Sequence, residues 1–282
     1  MKQVIKKGVP TLSTTLKSAV FPAAHVEAYR KLCQAGPEAV PLLYPHAFLG
    51  PLHLSLLGHP DFPLKLVGSV HARNHVLQFA PLKAATAYDV QLKLCNARRR
   101  PQGMEFDLTT DIGGAGSATE DGEVKQPLWT SVSTMLVRSK FAEEDAESPL
   151  ASAAAKIEGE AVTAGVFPVP DSTGKEYGLL TKDVNPIHMN KWLAKGLGFE
   201  QDLAHGMWGL ARALPFVAPK DASLPVRLDC IFKGPMYMGR DVRVVCKSLA
   251  APGDAFEYYS GTNPRPSVVG RFVNVGQTEK LQ

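Results

Sequence analysis

The chain has 282 residues, 45% of them hydrophobic, and a formal net charge of +4. Its length fits two domains of about 140 residues, each with enough apolar side chains to bury a core. The mildly basic balance suits plain solubility or an anionic substrate, and without a zinc knuckle, an RNA-binding signature or a basic helix it gives nucleic-acid binding no support.

The first residues, Met1-Lys-Gln-Val-Ile-Lys-Lys-Gly8, are basic but lead into no continuous apolar run, so no secretory signal is expected and cytoplasm is the default. Leu42 to Leu57 is the most apolar stretch; Pro45, His46, Pro51 and His53 interrupt it, and it is too short to span a bilayer. A helical segment is predicted over Tyr44 to Leu57, followed by strands at Leu66 to Phe79, Tyr88 to Asn96, Met104 to Ile112 and Trp129 to Ser139. In the first strand, alternation puts His71, Arg73 and His75 on one face, where they line a groove or meet solvent.

Arg98-Arg99-Arg100 falls in a Pro/Gly-bounded turn and reads as a hairpin tip, with a phosphate or carrier-protein contact as the alternative. Gly113-Gly114-Ala-Gly116 lacks the Lys-Ser/Thr of a P-loop and reads as a hairpin connection. Cys33, Cys95, Cys230 and Cys246 are widely spaced, with neither a C-x-x-C pair nor a metal-ligand arrangement, and are expected to be reduced core residues.

Residues 141 to 158 are acidic, then small and low in complexity, as in a linker; they divide the chain into residues 1–140 and 159–282. Beyond them we predict a loop, a short helix from Ile187 to Leu197, and a long helix from about His205 to Val217. Strands follow at Val226 to Phe232, Val242 to Ser248, Phe256 to Gly261 and Val268 to Val275. Phe79-Ala-Pro81-Leu82 before Tyr88-Asp89-Val90 echoes Lys233-Gly-Pro235-Met236 before Arg240-Asp241-Val242, which suggests a duplication.

The densest chemistry lies in Tyr177-Gly-Leu-Leu-Thr-Lys-Asp183-Val-Asn185-Pro186-Ile-His188. Pro186 fixes its own φ and keeps Asn185 out of the helical region, so Asp183 to Pro186 should bend and bring a carboxylate, a carboxamide and an imidazole together. The same letters also serve as ordinary turn and helix-cap chemistry. A second histidine, in Ala204-His205-Gly206-Met207, precedes the apolar run Trp208 to Phe216. Gly206 would then stand at a helix N-terminus, where free N–H groups and the helix dipole polarise a carbonyl oxygen.

This span resembles the signature of the (R)-specific enoyl-CoA hydratases and MaoC-like 3-hydroxyacyl dehydratases, with Tyr177, Thr181, Asp183, Asn185, Pro186, Ile187, His188 and Ala194 fitting in order. The family usually has Gly immediately before the Asp, where this chain has Lys182; either the loop is reshaped or Lys182 points outward with ordinary torsions. The resemblance implies an α+β double hotdog: two repeats, each a curved antiparallel sheet wrapped around a long helix. The first repeat would be degenerate and help to house the acyl chain, and the second would carry the chemistry.

The resemblance also implies the reaction: reversible hydration of trans-2-enoyl thioesters, or dehydration of (R)-3-hydroxyacyl thioesters, borne on CoA or an acyl carrier protein. Asp183 and His188 would be the acid/base pair, Asn185 would orient the loop, and the Gly206 N–H would bind the thioester oxygen. His205 would shape the helix entrance. Tyr177, Met207, Trp208 and Phe48 would border the acyl tunnel, although at helical spacing such residues are more often plain core. No metal or redox cofactor is called for, and either a monomer of two repeats or a homodimer fits. A hotdog thioesterase and a non-catalytic acyl-thioester-binding protein are the rival functions.

Overall fold

The structure, a computed structural model, describes residues 9–64, 69–154, 156–219 and 223–281. The basic segment Met1 to Gly8, the predicted start of a strand at Leu66 and the linker residue Ala155 lie outside the described residues. Among the described residues ten strands form one antiparallel sheet: β1 (Leu12–Val20), β2 (Val70–Gln78), β3 (Ala87–Arg100), β4 (Gly103–Gly114), β5 (Trp129–Arg138), β6 (Val162–Pro168), β7 (Val226–Phe232), β8 (Asp241–Cys246), β9 (Phe256–Ser260) and β10 (Val268–Asn274). Seven α-helices of the described residues accompany them: α1 (Ala23–Cys33), α2 (Tyr44–Phe48), α3 (Gly50–Leu57), α4 (Thr173–Thr181), α5 (Pro186–Met189), α6 (Lys191–Gly196) and α7 (Gly206–Val217).

The strand order is β1-β3-β4-β5-β2-β7-β10-β9-β8-β6. Each set of five runs edge, third, fourth, fifth, second, and the two sets meet where β2 pairs with β7, with Asn74 opposite Cys230 and Val76 opposite Leu228. This is a double hotdog. One hydrophobic core spans both sets, joining Phe21, Tyr44 and Trp129 of the first to Leu210, Phe256 and Tyr258 of the second. Helix α7 is buried on almost every side, as a helix wrapped by a sheet must be, with Met207, Trp208, Leu210, Ala211 and Ala213 all shielded from solvent.

Several sequence-based expectations change. The edge strands β1 and β6 and the helices α1 and α4 were not predicted. Both edges are half exposed, so their letters lack the inside–outside alternation that marks an interior strand. The helical segment over 44–57 is two helices meeting at Leu49, with a proline in the first turn of each. The helix over 187–197 is likewise two, because Asn190 turns extended and its side chain accepts from the Trp192 and Leu193 N–H groups.

The three arginines are not a free hairpin tip; they belong to β3. Arg98 is buried between Glu105 (3.0 Å) and Asp107 (2.9 Å), Arg99 bonds Asp145 at 2.7 Å, and Arg100 reaches the Asp145 carbonyl at 2.8 Å and Glu147 at 3.4 Å. They pin the acidic segment 143–147 to the sheet.

His71, Arg73 and His75 do not share a face. The β2–β5 register slips between His71 and Arg73, so the extra residue Ala72 forms a bulge that inverts the pattern. His71 therefore stacks on the helix-side rings of His46 and Phe232, while Arg73 meets Glu105 and His75 meets Asp229 at 2.8 Å on the opposite face. All four cysteines are free; Cys33, Cys230 and Cys246 are buried, whereas Cys95 is only half so.

Candidate active site

Helix α4 ends at Lys182, which takes left-handed torsions of φ 63° and ψ 14° while the residue as a whole stays exposed. Lys182 thus occupies the conformation in which helices are commonly closed by glycine, and the loop does not have the ordinary torsions entertained above. Asp183 to Asn185 are irregular, and Pro186 opens α5. Local bonds hold the bend: the Asn185 N–H donates to Asp183 Oδ1 at 3.3 Å, and the Ile187 N–H donates to Asn185 Oδ1 at 3.4 Å. The cap role and the bend role therefore coexist in Asn185.

The loop lies against a smooth face of α4 made by two glycines. A Cβ at Gly174 would fall 2.0 Å from the His188 carbonyl oxygen, and one at Gly178 would fall 2.7 Å from the Asp183 carbonyl oxygen. Their i, i+4 spacing puts them on one side of the helix. The first half of the chain braces the same helix, since the His25 imidazole bonds both the Tyr44 hydroxyl (3.0 Å) and the Leu180 carbonyl (3.1 Å).

His188 Nδ1–H donates to the Leu203 carbonyl at 2.7 Å, which fixes the tautomer and leaves Nε2 with its lone pair. The His188 and His205 rings stack with centroids 3.8 Å apart. His205 Nε2–H donates to the Asp183 carbonyl at 3.0 Å and stands 3.7 Å from the Asp183 carboxylate. Burial lowers the pKa of both imidazoles; the Leu203 carbonyl and the Asp183 charge oppose this at His188, while His188 adds to it at His205. Both rings are therefore neutral at pH 7. The Asp183 side chain is 48% exposed and forms the open side of the cluster. Gly206 is the first residue of α7, so its N–H belongs to the unbonded first turn.

Asp183, Asn185, His188, His205 and Gly206 thus converge. Tyr177 is buried and approaches the cluster at the His205 ring, 5.0 Å away. Met207 and Trp208 are core side chains; the Trp208 indole N–H donates to the Leu32 carbonyl of α1 at 3.2 Å. Phe48 packs on Phe21 and His25. The sequence reading missed the Gly174/Gly178 track, whose glycine spacing was a visible signal, and the Leu203 carbonyl, which has none. It also missed that one ligand atom each from Asp183, His188 and His205 lies within 4.8 Å of the others, close enough to share a cation.

The profile described as MaoC like domain matches residues 149–251, which contain the whole loop, both histidines and Gly206. Over that segment the chain is similar to MaoC-like domains. Over 234 residues it is 28% identical to 3-hydroxyacyl-thioester dehydratase X of Mycobacterium tuberculosis, covering 82% of this chain and 78% of the relative. The crystal structure of HtdX from the same organism superimposes with a TM-score of 0.74 at 24% identity, over 94% of this chain and all of that one. A MaoC-like dehydratase from Phytophthora capsici superimposes with a TM-score of 0.65 at 16% identity, covering 97% and 98% of the two chains. These structural likenesses speak for the fold. No helix among the described residues is long and apolar enough to cross a membrane.

Proposed function

We propose that this MaoC-like protein is a hydro-lyase that interconverts 3-hydroxyacyl thioesters and 2-enoyl thioesters, with Asp183 and His188 as its acid/base pair. The observation that carries this assignment is the fixed tautomer of His188: with Nδ1–H held by Leu203, Nε2 keeps its lone pair, and His188 and Asp183 bring ligand atoms within 4.8 Å of each other.

In the dehydration direction the Gly206 N–H donates to the thioester oxygen and stabilises its developing negative charge, which acidifies the α-carbon. The α C–H bond breaks and its proton passes to His188 Nε2; the β C–O bond breaks and the departing hydroxyl takes that proton back from the His188 imidazolium, directly or through a shared water, to leave as water and return Nε2 to its neutral form. Asp183 orients that water, and His205 holds the Asp183 backbone in place. Hydration is the reverse. Every step uses groups of this chain.

We assign the chemistry to residues 159–282, joined through 141–158 to residues 1–140 as the repeat that houses the acyl group; the mirrored strand order supports this division. The carrier is CoA or an acyl carrier protein, one chain holds one complete site whether it acts as a monomer or in a homodimer, and its free cysteines suit the cytoplasm. Incubation with crotonyl-CoA tests the assignment. Loss of the conjugated enoyl absorbance is expected, and Asp183→Asn or His188→Ala should reduce it by about two or more orders of magnitude with the fold intact. Release of free thiol instead would make the protein a thioesterase, and full activity in both variants would remove the pair from the mechanism.

A further inference from the structure

The start of α7 abuts the end of β7, where the Phe232 ring lies against Gly206. Phe232, His71 and His46 are each only half buried although they lie between the sheet and the helices of the first half. They are contiguous: a Cβ on Gly206 would fall 2.7 Å from the Phe232 ring, the Phe232 and His71 centroids are 4.9 Å apart, and the His71 and His46 centroids 5.5 Å. His46 is near enough to the Asp183 carboxylate to feel its charge.

A hydrocarbon-binding wall would be apolar here, and this one is not. Behind His46 and His71, the His53 ring is 5.2 Å from His46 and bonds Thr110 Oγ1 at 3.1 Å. Asn74, fully buried, donates to Ser133 Oγ at 2.8 Å, and Ser133 meets His46 Nδ1 at 3.4 Å. Two polar atoms of this array, His71 Nε2 and Asn74 Oδ1, are shielded and have no hydrogen-bond partner. Native interiors seldom leave such atoms unpaired unless something else supplies the partner.

We propose that this array is a polar subsite for the acyl group, built for a thioester whose chain carries a neutral oxygen, a hydroxyl or a carbonyl, beyond the two reacting carbons. The proposal rests on the assignment of Asp183 and His188 to acyl-thioester chemistry. Imidazole and carboxamide offer both donors and acceptors, which matches an oxygen function and is wasted on methylenes. Burial holds His46 and His53 neutral at physiological pH, with pKa values of about 4 and about 3, and pushes His71 the same way. The array therefore lacks the positive charge that a terminal carboxylate would need.

The test uses 2-enoyl-CoA substrates of matched length: a plain alkyl chain, chains with one hydroxyl or keto oxygen moved stepwise outward from the δ-carbon, and a chain ending in carboxylate. For the full-length protein, kcat/KM at one oxygen position should exceed that of the plain chain by about tenfold or more, the scale set by hydrogen-bonding groups left unpaired. His71→Phe should bring that ratio close to one, and His71→Gln, which keeps a donor and an acceptor, should restore most of it. Asn74→Leu serves as a second removal if His71→Phe does not fold.

Plain chains turned over with no oxygen preference, a preference for the carboxylate chain, or a ratio unmoved by these variants would overturn the subsite and leave the reaction standing. No turnover of any thioester would remove the assigned chemistry, and the subsite with it.

Discussion

Gly174 sits directly beneath the carbonyl of His188, so close that a methyl group there would come within 2.0 Å of the oxygen. Helix α4 therefore works as a template on which the reactive loop is laid, with Gly178 doing the same for the Asp183 carbonyl at 2.7 Å. In both cases the obstructing atom is backbone, so an added side chain must push the loop itself. Gly174→Ala and Gly178→Ala should each lower kcat/KM by about 100-fold, the order expected when reacting groups shift by about an ångström. Circular dichroism should show the fold retained, with a stability loss of about 1–3 kcal/mol from overpacking. Wild-type rates in both variants would mean that the loop finds its geometry without the track.

Lys182 carries a left-handed backbone at a helix end, where a side chain costs about 1–2 kcal/mol and glycine does not. Lys182→Gly should raise the urea midpoint by the equivalent of about 1 kcal/mol, partly offset by the greater freedom of glycine in the unfolded chain. Turnover should be unchanged or slightly higher. Lys182→Val should destabilise, because branching at Cβ makes the same torsions harder to reach.

Burial lowers the pKa of His46, His53, His71, His188 and His205, to about 4 and about 3 in the first two. In the unfolded chain these imidazoles titrate near their ordinary value of 6.5. Below that pH the unfolded state binds protons that the folded state refuses, so stability is complete above it and falls as the pH drops toward 4. Each such histidine contributes a slope of up to about 1.4 kcal/mol per pH unit. Urea titrations between pH 7.5 and pH 4.5 should show this decline, and His53→Leu should make it shallower. A midpoint independent of pH would show that these rings are already accessible to protons in the native state.

Asp183, His188 and His205 present ligand atoms within 4.8 Å of one another, a spacing that suits a carboxylate-and-imidazole site for zinc. Low-micromolar zinc is expected to inhibit turnover, EDTA to reverse it, and zinc to raise the melting temperature of the wild type but not of Asp183→Asn. Inhibition without the thermal shift would place the ion elsewhere.

What could be read from the letters is what the chain specifies locally. Pro186 dictates the bend and Asn185 the cap of α5, so the geometry of Asp183 to His188 was legible. The partner of His188 was not, because the Leu203 carbonyl lies fifteen residues away and every residue has a carbonyl. The central strands announced themselves by alternation, whereas the half-exposed edges β1 and β6 did not. A bulge at Ala72 has no letter of its own, yet it moved His71 from the face of Arg73 to the face of the site. Arg98 to Arg100 looked like a free cationic cluster because the acids that neutralise them stand more than forty positions later for Arg99 and Arg100.

The ladder between β2 and β7 runs from Arg73 opposite Ile231 to Gln78 opposite Val226, and it buries the His75–Asp229 pair within it. Neither repeat is consequently a detachable module. Expressed alone, the portion bearing Asp183 and His188 would present β7 as a raw sheet margin, a surface suited to aggregation. Each set of five strands is thus indispensable to the margin of the other.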